Sequence, residues 1–155
     1  MVWGEVDDTD SVWTVPADRI KAGKEHRVPL TTAARVLLGK RGADTALVFP
    51  APSDPAKPLS DMTLTAVLRR MDRGDLTAHG FRSTFRDWAG ETTNHAREVV
   101  EAALAHRLKD KAEAAYARGD LFVKRRKLME DWAAFLAKAP GEIHQMSLPA
   151  AEAVA

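Results

Sequence analysis

Cysteine is absent from this 155-residue chain. Its absence excludes disulfides, thiolate catalysis and cysteine-ligated zinc, so the fold must stand on packing alone. Long apolar runs are missing too, and the N-terminus lacks the basic-then-apolar order of a signal peptide. A cytoplasmic protein with no membrane partner is therefore expected. The five histidines have neither cysteines nor clustered carboxylates beside them, which makes a metal site unconvincing. Tyrosine occurs once, at Tyr116, and net charge is nearly absent at +1.

The small net charge conceals an uneven distribution. Arg19, Lys21, Lys24, Arg27, Arg35, Lys40 and Arg41 face a single acid, Glu25, across residues 19–41. A second basic segment, 105–127, holds Arg107, Lys109, Lys111, Arg118 and the run Lys124 to Lys127 against Asp110, Glu113 and Asp120. Two such segments on one face would bind phosphate with a steep salt dependence; on separate faces they are ordinary solvated surface. Charge alone does not separate these two readings.

The length fits one domain. Val12 to Pro16 and His26 to Leu30 read as paired strands, with a turn at Ala22-Gly23 that sets Lys21 at or beside the hairpin tip. Thr31 or Thr32 caps a helix carrying Val36 and Leu37 that stops near Gly39 or Gly42. Leu47 to Pro50 is a short extended piece. Pro50, Pro52, Pro55 and Pro58 predict a stiff surface connector without a helix or strand.

Ser60 caps a helix with Leu64, Val67, Leu68 and Met71 on one face. Thr77 caps another that runs to about Ala89, with Phe81, Phe85 and Trp88 as a buried stripe. Asn94 begins a helix that ends at His106. A short helix holds Tyr116, and Gly119-Asp120 breaks it. The last helix, 121–138, places Leu128, Trp132, Phe135 and Leu136 on one face and Lys124 to Lys127 on the polar side. Residues 141–155 read as a disordered tail. The class is α+β, mainly helical: a small antiparallel hairpin or sheet near the N-terminus, then a helical core.

Five side chains carry chemistry at suggestive places. A phenol is a poor nucleophile until its neighbours activate it. His79 and Arg82, three residues apart on one helix face at its first turn, suit an anion. His106 sits at a helix end, and Lys21 at a hairpin tip. Each alone is unremarkable, since HxxR arises by chance and a histidine at a helix end is commonly a cap. Lys24 competes with Lys21 for any role at the tip.

The ordered series, with the stretches WTVPADRIKAGKEHRVPL, AHGFRSTFRDWA and LAHRLKDKAEAAYARGDLFVKRRKLMEDWAAFL, resembles the catalytic domain of tyrosine recombinases, in particular integrases of phages and genomic islands. The resemblance covers nearly everything from Trp3 to Leu136, so residues 1–140 would be part of that domain.

The resemblance implies that Tyr116 attacks a DNA phosphate to form a 3′-phosphotyrosyl link. Arg82 and His106 would hold the nonbridging oxygens, His79 would take a proton or bind phosphate, and Lys21 would protonate the leaving 5′-oxygen. Lys24, Arg27, Arg86, Arg107 and Arg118 would contact DNA. No cofactor or metal is implied. The partners would be double-stranded attachment sites and further copies of the chain, joined through the helix 121–138, in the cytoplasm and nucleoid of a bacterium.

The family's first catalytic arginine lies in a helix ending just before the position of Trp3, so these residues are expected to lack it, together with the core-binding domain. A non-catalytic DNA-binding or assembly module and a topoisomerase-like enzyme of the same chemistry are the alternatives. Activity separates the first from a recombinase, and relaxation of supercoils without strand exchange separates the second.

Overall fold

A computed structural model describes residues 1–20, 23–106 and 119–138. Tyr116, Lys21, Arg107 and Arg118, and the tail 141–155, lie outside them. The described part is α+β and mainly helical, with five α-helices and two small antiparallel sheets.

After a 3-10 turn at Trp3–Glu5, strands β1 (Val6–Asp7), β2 (Val12–Val15) and β3 (His26–Pro29) form an antiparallel sheet in sequence order. Val12 stands opposite Pro29 and Val15 opposite His26. The hairpin expected from the β-branched run is present, and its tip turns where Gly23 N–H donates to the Ile20 carbonyl at 2.7 Å. Gly23 supplies the positive φ of 65° that this turn requires.

Trp3, Val6 and Val48 form a first core under this sheet, with Met1, Trp13, Leu30, Leu38 and Ala46 packed on it. Gly42 is held to glycine by this core, since a Cβ there would sit 3.1 Å from the Trp3 ring. Helix α1 (Thr32–Leu38) begins where Thr31 Oγ1 accepts from Ala34 N–H at 3.2 Å and stops at Gly39, whose φ is 77°.

The proline-rich stretch departs from expectation. β4 (Pro50–Ala51) and β5 (Asp54–Pro58) pair as a two-stranded ribbon with Pro50 opposite Pro58. A ribbon of two strands has an outer edge on each side, so a residue without an N–H can face outward at no cost to the ladder. Helix α2 (Thr63–Arg70) follows; Ser60 Oγ accepts from Met62 N–H at 3.3 Å just ahead of it. Only Leu68 of its expected stripe is buried, while Leu64 and Met71 are exposed.

Helix α3 (Gly80–Thr92) starts where Thr77 Oγ1 accepts from Gly80 N–H at 3.0 Å, and it continues through Gly90 to Thr92. Phe85 and Trp88 are buried as expected, but Phe81 is 54% exposed. Helix α4 (Arg97–Ala103) starts at Ala96 without a side-chain cap, so Asn94 does not cap it. Helix α5 (Phe122–Ala137) completes the second core, in which Leu128 inserts among Phe85, Trp88, Ala89, Val99, Val100 and Leu104. Trp132 meets Phe85 edge-on at 5.4 Å and stacks on Phe135 at 5.4 Å. The other side of α5 meets β3, so one helix ties the sheet to the helical core.

No helix among the described residues is long and apolar enough to cross a membrane. Leu128 has no solvent exposure, so Leu128→Ala is expected to lower unfolding free energy by about 3 kcal/mol, read from the urea midpoint. Phe81→Ser should change it by less than about 0.5 kcal/mol.

Candidate active site

Four elements converge around a pocket of about 260 Å³. Ile20 and Lys24 from the hairpin tip and Glu25 and His26 at the start of β3 line one side. Ala102, Ala105 and His106 from the end of α4 line another, and Asp120 and Arg125 from the start of α5 close it.

The base of the pocket is a charged knot. Arg125 is 1% exposed. Its Nε donates to the Asp120 carbonyl at 2.8 Å and its Nη2 to Asp120 Oδ2 at 3.1 Å, while Nη1 lies 3.4 Å from His26 Nε2. Asp120 also receives a fork from Arg27, with Nε to Oδ2 at 2.8 Å and Nη2 to Oδ1 at 2.9 Å. Phe122 packs its ring 4.2 Å beneath the Arg27 guanidinium. The Arg27 fork holds the Asp120 carboxyl below its usual range; burial pushes the other way but is outweighed, with Arg125 adding to the lowering. Burial, then the neighbouring Arg125 charge, holds His26 below the usual imidazole value, against its hydrogen bond to the Ala103 backbone and the Asp120 charge.

Of the residues picked out by pattern, His106 and Lys24 line the pocket. Arg82, on the first turn of α3, reaches across to donate through Nη2 to the Leu104 carbonyl. No other hydrogen bond from its guanidinium is found among the described residues. His106 follows the end of α4, exposed, with Nδ1 2.6 Å from Glu101 Oε2. Arg82 and His106 are thus brought to one corner of the fold, and Lys24 lines the same pocket as His106. His79 lies exposed at the start of α3.

Two expected DNA contacts are engaged within the chain: Arg27 with Asp120, and Arg86, whose Nε is 2.9 Å from Glu101 Oε1. Among the described residues no cluster of three His, Asp or Glu is placed to hold a metal ion.

Comparison with known proteins decides the family. The chain is 35% identical over 135 residues to prophage integrase IntA of Escherichia coli K12, an alignment covering 84% of this chain and 32% of that protein. It is 31% identical over 148 residues to the integrase of Enterobacteria phage P4, covering 84% of this chain and 34% of the relative. Prophage integrase IntZ of Escherichia coli K12 is 32% identical over 135 residues, covering 84% and 33%. The chain belongs to the integrase family. It spans about a third of the length of these curated relatives. No family model matches it, and no solved structure matches it.

Within this integrase chain, pattern reading missed Asp120, Arg125 and Glu101. Asp120 reads as a helix breaker, and Arg125 as one of four successive cations on a polar face. A signal for Arg125 does exist: it precedes Leu128 by three residues and Trp132 by seven, so it falls on their buried stripe.

Asp120→Ala leaves a guanidinium buried without its acid, and the expected loss is about 3 kcal/mol of unfolding free energy at pH 7. Two titrations in this knot set the pH dependence. His26, lowered from 6.5, binds its proton more readily unfolded than folded, so its contribution is complete above about pH 6.5 and fades as pH falls below it. Asp120, lowered from 3.8, likewise contributes fully above about pH 4, and that contribution is lost as pH falls through its folded value. Urea midpoints should therefore fall from pH 7 to pH 5, and His26→Gln should flatten that portion of the curve.

Proposed function

We propose that this chain is part of the catalytic domain of a tyrosine recombinase that performs site-specific DNA integration by cleaving and rejoining strands. The observation that carries the reading is the convergence of Arg82 and His106 on the corner after α4, beside a pocket shared with the hairpin tip. These side chains come from two successive helices and meet next to residues of the hairpin, in a chain similar to integrases over most of its length.

The chemistry proceeds in one reversible step. The Tyr116 phenolic oxygen attacks phosphorus, its proton passing to His79 or water, and a 3′-phosphotyrosyl bond forms as the bond to the 5′-oxygen breaks. Lys21 gives its proton to that oxygen, which leaves as a hydroxyl. Arg82 and His106 donate to the nonbridging oxygens, where charge accumulates in the pentavalent transition state. A 5′-hydroxyl from a second strand reverses the step, because the covalent link conserves the phosphodiester's energy. Double-stranded attachment-site DNA is the partner. A second copy joins through the 121–138 helix, whose seat between α4 and β3 in its own chain is the surface a neighbour's helix would take.

One guanidinium of the family's pair has no counterpart in these 155 residues. Losing one such donor costs roughly 100- to 1000-fold in rate. Incubated with a nicked suicide substrate, the 155 residues alone should give little covalent adduct on a denaturing gel. A longer polypeptide supplying an arginine-bearing helix ahead of Trp3 should give abundant adduct, abolished by Tyr116→Phe. Adduct that survives Tyr116→Phe, or none from the longer polypeptide, would overturn the reading.

A further inference from the structure

Helix α4 ends in a six-residue closure. The His106 N–H reaches back to the Glu101 carbonyl at 2.9 Å, and Ala105 between them adopts the left-handed conformation with a φ of 53°. Closures of this form bring the two end residues' side chains together, commonly as an apolar contact. Here the two are a carboxylate and an imidazole. Glu101 Oε2 lies 2.6 Å from His106 Nδ1, and the Glu101 side chain is only 13% exposed against 43% for His106.

The other carboxylate oxygen shows how the pair is held. Oε1 is buried and has no hydrogen bond among the described residues, although Arg86 Nε lies 2.9 Å away, near enough to pair in charge but not aligned to donate. Burial pushes the Glu101 carboxyl up, but the His106 hydrogen bond and the Arg86 charge outweigh it and leave the carboxyl below its usual range. An ionised carboxylate only accepts, so the His106 nitrogen facing it carries a proton. Nδ1 is thereby committed, and no hydrogen bond engages Nε2 among the described residues. To donate to Glu101 and to a phosphate oxygen together, the ring must carry a proton on each nitrogen.

We propose that Glu101 is a positioning residue for His106: it fixes the ring orientation and the Nδ1 proton so that Nε2 meets the nonbridging oxygen of the phosphate. The phosphate rests on the recombinase reading above, whereas the setting of the ring by Glu101 does not.

Two measurements separate these layers. Nitrogen-15 shifts of the His106 ring in the 155-residue chain should show Nδ1 protonated. Glu101→Ala should release the neutral ring to the Nε2–H form that free histidine prefers. Glu101→Gln, whose amide oxygen still accepts, should keep the Nδ1 proton and serves as the variant that retains the packing. Unchanged Nδ1 protonation in Glu101→Ala overturns the proposal whatever the protein's function.

In the longer, cleavage-competent polypeptide, Glu101→Ala should slow adduct formation roughly 10- to 100-fold, the range seen when residues that orient a functional imidazole are removed, with DNA affinity unchanged. Glu101→Gln should fall between Glu101→Ala and the parent chain, since it restores the orientation without the charge. A shifted tautomer with an unchanged cleavage rate refutes the role in the reaction. A polypeptide that never cleaves refutes the recombinase reading, and the nitrogen shifts still decide whether Glu101 sets the ring.

Discussion

One carboxylate, that of Asp120, holds the fold and the site in register. It receives Arg27 from β3 and Arg125 from α5, joining positions 93 residues apart. Arg125 is almost wholly buried, so its charge is tolerable only while Asp120 stays ionised and in place. A buried ion pair of this kind adds little net stability against an apolar substitute. It discriminates strongly against any arrangement in which the partners are apart, and so fixes where α5 begins. Whatever the segment 107–118 does, its C-terminal anchor is set against β3 of the hairpin.

The opposite end of that segment is set by the corner after α4. Ala105 takes a left-handed conformation that costs a non-glycine residue about 1 kcal/mol. The closure aligns Glu101 with His106 and presents the Leu104 carbonyl to Arg82. Packing of Leu104 and Leu128 in the helical core thus translates into placement of Arg82 and His106 at this corner. The electrostatics of the corner depend on apolar contacts a few ångströms beneath it.

Much of this was legible from local pattern. The β2–β3 hairpin follows from its β-branched residues and Gly23, and the cap at Thr31 is found where a hydroxyl residue precedes a periodic run, whereas α3 is capped at His79 with Thr77 Oγ1 accepting in the turn ahead of it. The errors share a cause: local pattern does not reveal which neighbour covers a surface. Phe81 continues the spacing of Phe85 and Trp88 yet faces solvent, since helix periodicity does not fix how far a core extends. The paired prolines at positions 50 and 58 read as a connector because tolerance of proline depends on whether a strand has a second neighbour. Arg125 sits on a buried stripe, but recognising it needed the acid brought to it by the turn at Asp120. At the candidate site, the order of His79, Arg82, His106 and Tyr116 carries the family resemblance. The nearness of Arg82 to the His106 corner is a tertiary fact, and Glu101 became visible only once the closure around Ala105 was seen.

The central claim is that the lone phenol becomes bonded to phosphorus. The direct measurement is mass spectrometry of the longer polypeptide after trapping on a suicide substrate and digestion with nuclease and trypsin. The account predicts a nucleotide phosphate on the peptide spanning residues 112–118, which contains Tyr116. Modification on a different peptide, or cleaved DNA with no modified peptide, would contradict it.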